Sequence, residues 1–411
     1  MSAIPGVIPN KPLALAKRDF SVHKFQVYEY LRQYAPVKRA KIFNVNMFVT
    51  ARYEDCLHVV KSEQFLRDRS TIMGGRKTPF PLPKNLAFLA DSMIVMDDPE
   101  HRRLRALVQK AFAPKTLKTI EHSVEQYAHD LLDQCLAQDV CNFQADYALP
   151  IPERVIAEIV GVDPVRMPEF RQGMKVLSSG FNGLSILRTL LWDLRKTVNL
   201  VKELIAYKRE HPGEDVLTAL IDAEEDGERL SESELISMVF LLIVAGFETT
   251  VHLITNGTLA LIQHPDQQQK LRDDQALMGS AVEEMLRYVG PIQGTKLNYA
   301  REDMELRGVR IPKGSPVMPL LGSANRDERV FDNADEFDVT RGEIKHLAFS
   351  QGNHFCLGAF LARMETRIAF DVLLNRTDEI NLAVPASEVE PVAMPGWHRY
   401  ASLPVTLRSC Q

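Results

Sequence analysis

The sequence predicts a mainly α-helical fold with a minor β part, arranged as one large domain. Three observations predict it. Stretches with apolar residues recurring every 3.6 positions dominate the chain. Strands and helices do not alternate as a parallel doubly wound sheet requires. No long polar linker or internal repeat divides the 411 residues, although length alone would allow two or three domains. Residues 1–411 are therefore expected to form a single domain.

Periodicity and caps place helices at 24–33, 99–112, 116–137, 151–160, 196–208, 232–263, 267–274, 276–289 and 358–374. Loops are expected at Gly74 to Pro83, Pro291 to Gly294 and Pro312 to Pro319, where Pro and Gly cluster. Short runs at Phe43 to Thr50, Met304 to Ile311 and Leu403 to Leu407 suggest small strand pairs. The helix from 232 opens on a capping box, Ser231-x-x-Glu234, and stops at His264-Pro265. At 1.5 Å per residue it is roughly 45 Å long, and its middle is apolar nearly all round, so it is expected to be buried. At the helix from 99, Asp98 suits the N-cap and Pro99 the first helical position. Leu104, Leu107, Val108, Ala111 and Phe112 then form one apolar stripe. His101 falls inside that stripe and Arg105 at its edge, whereas Arg102, Arg103 and Lys110 point away.

Composition narrows the function class. Hydrophobic residues make up 45% and charged residues 25%, the balance of a globular protein. With 49 Lys+Arg against 54 Asp+Glu the net charge is −5, so no basic field points to nucleic acid. The N-terminus lacks the apolar core of a secretory signal. The longest apolar stretch, Leu235 to Gly246, falls short of the ~20 residues of a membrane span. Five cysteines, at 56, 135, 141, 356 and 410, make no CxxC pair, which suits a reducing, cytoplasmic setting.

Two segments carry unusual residues. The long helix inserts Ala245-Gly246-Phe247-Glu248-Thr249-Thr250 into its apolar middle. A mid-helix glycine costs about 1 kcal/mol relative to alanine, and a buried carboxylate costs more unless paired. Either Gly246 serves helix packing and Thr249 bonds a carbonyl one turn back, or the glycine admits a flat ligand beside which an acid and an alcohol handle protons. The second segment runs from Phe349 to Arg363. Glycines at 352 and 358 permit a tight loop, and Cys356 sits at a helix N-terminus, where the macrodipole favours thiolate, a strong iron ligand. A buried small hydrophobe or a nucleophile served by His354 are the alternatives for this cysteine.

Phe349-x-x-Gly352-x-His354-x-Cys356-x-Gly358-x-x-Leu361-Ala362-Arg363 resembles the haem-thiolate signature of the cytochrome P-450 superfamily at every specified position. Ala245-Gly246-Phe247-Glu248-Thr249 resembles its oxygen-activating segment. Glu284-Met285-Leu286-Arg287 resembles its E-x-x-R pair, and Asp98 to Arg105 its bacterial haem-propionate helix. Taken alone, Glu284 and Arg287 lie opposite the apolar face Val282, Met285, Leu286 and Val289, as an exposed ion pair would. The resemblance implies instead that both are buried. Glu336 occupies the usual position of a third arginine, leaving Arg341 as the candidate. In Leu297-Asn298-Tyr299-Ala300-Arg301-Glu302-Asp303, Asn298 stands where the family often has a propionate-binding arginine, with Lys296 as a second candidate.

The resemblance implies a P-450 fold with the long helix over haem b (iron-protoporphyrin IX). Cys356 is the implied axial ligand; His101, Arg105 and His354 are implied propionate partners. Ala245, Gly246, Phe349 and Gly358 are implied at the haem, with Glu248 and Thr249 delivering protons. The implied activity is a monooxygenase that puts one oxygen atom of O2 into an apolar small molecule, by hydroxylation or epoxidation, and releases the other as water. A peroxygenase using hydrogen peroxide, or a haem-based sensor or carrier, are the rival classes, and the intact Glu248-Thr249 pair favours neither. Electrons are expected from NAD(P)H through a reductase and a ferredoxin, because the chain has no flavin fingerprint and no iron–sulfur cysteine spacing. Docking is expected where Arg102, Arg103 and Lys110 offer positive charge. The chain is expected to be monomeric, under a distal roof of Thr71 to Met96 and Met174 to Trp192.

Overall fold

The structure is a computed structural model that describes residues 11–74, 92–112, 114–163, 166–168, 170, 194–225 and 227–410. Its longer helices are α1 (Lys24–Tyr34), α2 (Tyr53–Lys61), α3 (Glu100–Ala111), α4 (Pro114–Leu136), α5 (Pro150–Ile159), α6 (Leu194–Glu210), α7 (Glu232–Gln263), α8 (Pro265–Asp273), α9 (Met278–Val289) and α10 (Ala359–Arg376). All but α2 lie within two residues of an expected boundary at each end. Helix α2 escaped because its buried stripe is short and includes an acid, Asp55 with Cys56 and Val59.

Helix α7 organises the molecule. Glu234 N–H donates to Ser231 Oγ at 3.3 Å, and Ser231 N–H donates to Glu234 Oε2 at 2.8 Å, which closes the capping box. Contrary to the estimate from the Leu235 stretch, this 32-residue helix is long and apolar enough to cross a membrane. However, 67% of its most apolar window is buried against the rest of the protein. It packs on α5, α9 and α10 and is a core helix.

One expected cap is corrected. Helix α3 begins at Glu100, with Pro99 as N-cap and no capping side chain. The Asp98 carboxylate is drawn to other donors, accepting from Arg102 Nη2 at 2.9 Å and Asn353 Nδ2 at 3.0 Å. The inward stripe is as expected, with Leu104, Leu107, Val108 and Ala111 buried.

The β part is larger than the sequence suggests. A six-stranded sheet joins β1 (Leu13–Ala14), β2 (Val37–Ile42), β3 (Val45–Thr50), β11 (Pro316–Pro319), β8 (Asn298–Ala300) and β4 (Phe65–Leu66) in that spatial order. Strands β12 (Thr377–Leu382) and β13 (Pro404–Ser409) pair with β5 (Cys141–Asn142), while β6 (Glu224–Glu225) pairs with β7 (Glu228–Arg229), and β9 (Met304–Leu306) with β10 (Val309–Ile311). Strands β4 and β8 span only two and three residues, too few for period-two patterning to register.

Candidate active site

The loop from Phe349 to Cys356 folds back on itself. Cys356 N–H donates to Phe349 O at 3.0 Å around a tight turn at Gly352–His354. Gly352 has φ +73°, and a Cβ there would come within 3.0 Å of Val60 O, so this position needs glycine. Gly358 has an ordinary φ of −87°, and a Cβ on it would meet no protein atom within 4 Å. The fold itself therefore does not demand glycine at 358. Burial pushes the Cys356 thiol pKa up, while the Gly358 N–H, Arg105 and Arg363 pull it down. The helix end does not by itself favour thiolate here, as the sequence suggested; a cation ligated to the sulfur would.

Supports behind this loop escaped sequence reasoning. Arg363 donates to both oxygens of Glu283 at 2.6 and 2.9 Å, and its guanidinium lies 4.6 Å from the Phe349 ring centroid. His346 Nε2 sits 3.1 Å from the same carboxylate. These partners hold the Glu283 pKa down at about 2 despite burial. The adjacent Glu284–Arg287 pair is fully buried, as the resemblance implied and helix periodicity did not. Arg287 donates to both Glu284 oxygens at 2.6 and 2.8 Å and to the carbonyls of Asn325, Ala334 and Glu336. Arg341 Nε donates to Glu284 Oε1 at 3.1 Å, making it the third arginine.

Basic groups gather beside the loop. His101 is 2% exposed, its ring centroid is 4.2 Å from that of His354, and its Nε2 has no hydrogen-bond partner. Arg105, half-buried, has no ion pair among the described residues. Burial and neighbouring positive charge depress both imidazoles, His354 to about 3. Asp98 Oδ1 is 3.5 Å from His101 Nδ1 and is the acid nearest the imidazoles. Arg102 is exposed, as expected. Arg103 is not: it pairs with Glu234 and with Glu228 and is half-buried, whereas Arg102 pairs with Asp98 but keeps its side chain 80% exposed.

On α7, Ala245 is exposed and Gly246 and Thr249 are half-buried, in a helix whose flanks are buried. Thr249 Oγ1 donates to Ala245 O at 2.9 Å. A Cβ on Gly246 would lie 2.4 Å from Ile156 Cδ1, so its missing side chain serves contact with α5 and does not open space for a ligand. Glu248 turns the other way. It is buried and accepts from Arg399 Nη1 at 2.5 Å, with His252 Nε2 4.0 Å away. Burial raises its pKa and Arg399 opposes the rise, while burial and Arg399 lower His252 to about 3. Arg399 lies in an irregular segment without periodicity or a charge pattern to mark it.

The Cytochrome P-450 family pattern matches residues 193–378. A cytochrome P-450 of Bacillus subtilis (strain 168) is 39% identical over 373 residues, covering 90% of each chain. This chain belongs to the cytochrome P-450 family. The polyketide biosynthesis P-450 PksS of Bacillus subtilis 168 superposes with a TM-score of 0.88 at 34% identity, covering 96% of this chain and 99% of that one. A myxobacterial P-450, CYP267B1, in complex with myristic acid also has a TM-score of 0.88, at 35% identity and 96% and 98% coverage. The chain is a haem-thiolate monooxygenase with the P-450 fold, and such enzymes take electrons from redox partners and act on small molecules.

The residues present fit a haem. Cys356 offers a sulfur, Gly358 leaves its Cβ position clear, His101 Nε2 has no hydrogen-bond partner, and Arg105 has no ion pair among the described residues. The other propionate candidate, Asn298, is spent elsewhere: its Nδ2 donates to Thr295 Oγ1, Lys296 O and Val317 O. Of the expected roof, residues 75–91 and Met174 to Trp192 lie outside the described residues; Ile94, within the first segment, is described and half-buried.

Proposed function

We propose that residues 1–411 act as one cytoplasmic, monomeric domain that hydroxylates or epoxidises an apolar substrate. Haem b would be held by Cys356 through iron and by His101, Arg105 and His354 through its propionates, with Phe349 and Gly358 beside the sulfur and Ala245 above. When bound, the haem supplies oxygen activation, with the thiolate pushing electron density that favours O–O cleavage. The observation that carries this reading is the convergence of a half-buried, loop-held thiol with the partnerless His101 Nε2 and with Arg105, which has no ion pair among the described residues.

The chain's own part is proton management and exclusion of water. Thr249 donates its hydrogen to Ala245 O and keeps its oxygen lone pairs free to accept from water on the accessible face. Glu248 forms the reserve behind it, held by Arg399 until it turns. Leu241, Leu242 and Val244, all half-buried, carry apolar surface near Ala245 and support an apolar substrate. A fatty acyl or polyketide-like molecule matches the myristic acid complex and the polyketide pathway of two relatives. An acidic ferredoxin, reduced by an NAD(P)H-dependent reductase, would dock beside the cysteine loop, where Arg102 is 80% exposed and Phe360 58% exposed.

The test is Cys356→His. The wild type, reduced under carbon monoxide, should give the thiolate-type absorption, and the variant should lose it with most of its haem and activity. An unchanged spectrum in the variant refutes the ligand. Oxygen consumption with a surrogate ferredoxin system, compared with peroxide-driven turnover, separates monooxygenase from peroxygenase and carrier.

A further inference from the structure

Arg67 is a buried cation that the site described so far does not use. It follows β4, whose antiparallel pairing with β8 matches Phe65 to Ala300 and Leu66 to Tyr299. One more step of that register sets Arg67 opposite Asn298. Its backbone N–H and that of Asp68 donate to the Asp97 carboxylate, which clamps the strand end to the segment entering α3. The side chain is buried, at 8% exposure for the residue, and Nη1 donates to Lys296 O at 2.6 Å. No carboxylate lies within ion-pair distance of its guanidinium among the described residues.

A buried, unpaired guanidinium is costly unless an anion joins it. Burial holds its pKa down at about 10, with Asp97 alone opposing. Asp97 ties Arg67 to the basic groups of the site, because its carboxylate accepts from Arg67 N–H while its carbonyl accepts from His101 N–H at 3.0 Å. That arrangement repels cations and suits a carboxylate placed among Arg67, His101 and His354. Asp97 cannot serve, because its oxygens are engaged by the backbone of Arg67 and Asp68.

We infer that Arg67 anchors one haem propionate, supplying from the end of β4 the guanidinium that Asn298 on the facing strand lacks. The inference rests on the haem reading above. Planar, multiply donating Arg67 suits the bidentate geometry of a carboxylate better than the single ammonium of Lys296.

The experiment uses holoenzyme and an excess of apomyoglobin as haem acceptor. Arg67→Gln keeps a donor for Lys296 O but removes the charge, and should lose haem about 10- to 100-fold faster than wild type. Arg67→Lys should fall between them, and Lys296→Met should stay near wild type. Resonance Raman bands of propionate bending should shift in Arg67→Gln, which a purely structural arginine would not cause. Haem loss at the wild-type rate, or faster loss with unshifted propionate bands, overturns the assignment. If the wild type itself lacks the thiolate-type spectrum, the haem reading fails; a normal wild-type spectrum with an indifferent Arg67→Gln removes this inference alone.

Discussion

Replacing Arg399 by methionine tests the electrostatics behind α7. The change keeps an unbranched side chain of similar length but removes the charge and the hydrogen bond to Glu248. Both partners are nearly buried, with side-chain exposures of 6% and 9%. Removing one partner of a buried pair costs about 3–5 kcal/mol, because the other charge is left uncompensated. The lower end applies here. His252, 4.0 Å from the carboxylate, is held neutral partly by Arg399 and can accept a proton once Arg399 is gone.

The loss should depend on pH, and its sign follows from the direction of the shift. Burial already raises the Glu248 pKa in the folded protein, and Arg399 opposes that rise. In Arg399→Met the folded pKa climbs further above the unfolded one. A carboxyl with a raised folded pKa binds more protons folded than unfolded, so stability falls as pH rises between the two values, by about 1.4 kcal/mol per unit. A charge cost of about 3 kcal/mol then corresponds to roughly two pH units. Urea unfolding of the holoenzyme at pH 8 and pH 6 checks this through the midpoint, provided the slope is unchanged. Expected is a large loss at pH 8 that shrinks at pH 6, with Glu248→Gln restoring most of it in the double variant. An equal loss at both pH values would refute the charge argument and leave Arg399 a packing residue.

Thr249→Ala should keep haem and substrate binding yet divert NAD(P)H to hydrogen peroxide; positioned acid–base groups contribute about 10²–10⁴-fold, part of which water can replace. Product formed per NAD(P)H oxidised is the measurement, and wild-type coupling would leave Thr249 only its bond to Ala245 O. His101→Ala and Arg105→Ala should each weaken haem retention by about 1.5–3 kcal/mol, the worth of one hydrogen bond to a charged group. Transfer to apomyoglobin reads this, with exposed Arg102→Ala as the control that should change little; wild-type rates in both variants would place these residues elsewhere.

Nine of the ten longer helices were legible because each of them writes its burial into a local pattern. His101 fell inside the stripe of α3 and is buried there. Where burial comes from distant chain, the pattern misled. The polar face of α9 looked exposed because Glu284 and Arg287 lie off its apolar stripe. Residues 325–341 cover that face, bringing Arg341 and three backbone carbonyls to the pair. The strands expected at 43–50, 304–311 and 403–407 are present, whereas those that escaped did so for the same reason: β8 has three residues, and what fixes it is pairing with β4 and β11 from far along the chain. Asp98 was legible as a helix-start residue, but Asn353, 255 residues away, and Arg102 compete for its carboxylate.

The same contrast sharpens the role of Glu248. Successive residues on a helix point about 100° apart, so Thr249 and Glu248 cannot both face the accessible side of α7. The structure gives that side to Thr249 and Ala245, and turns Glu248 toward Arg399, His252 and the segment near the C-terminus. Adjacency in sequence had suggested one acid–alcohol site. The geometry instead makes two stations about 100° apart around the helix, and a proton passing between them requires Glu248 to leave its arginine or water to bridge the gap. Arg399 therefore sets the cost of the first route: the tighter it holds the carboxylate, the more the reaction depends on the second.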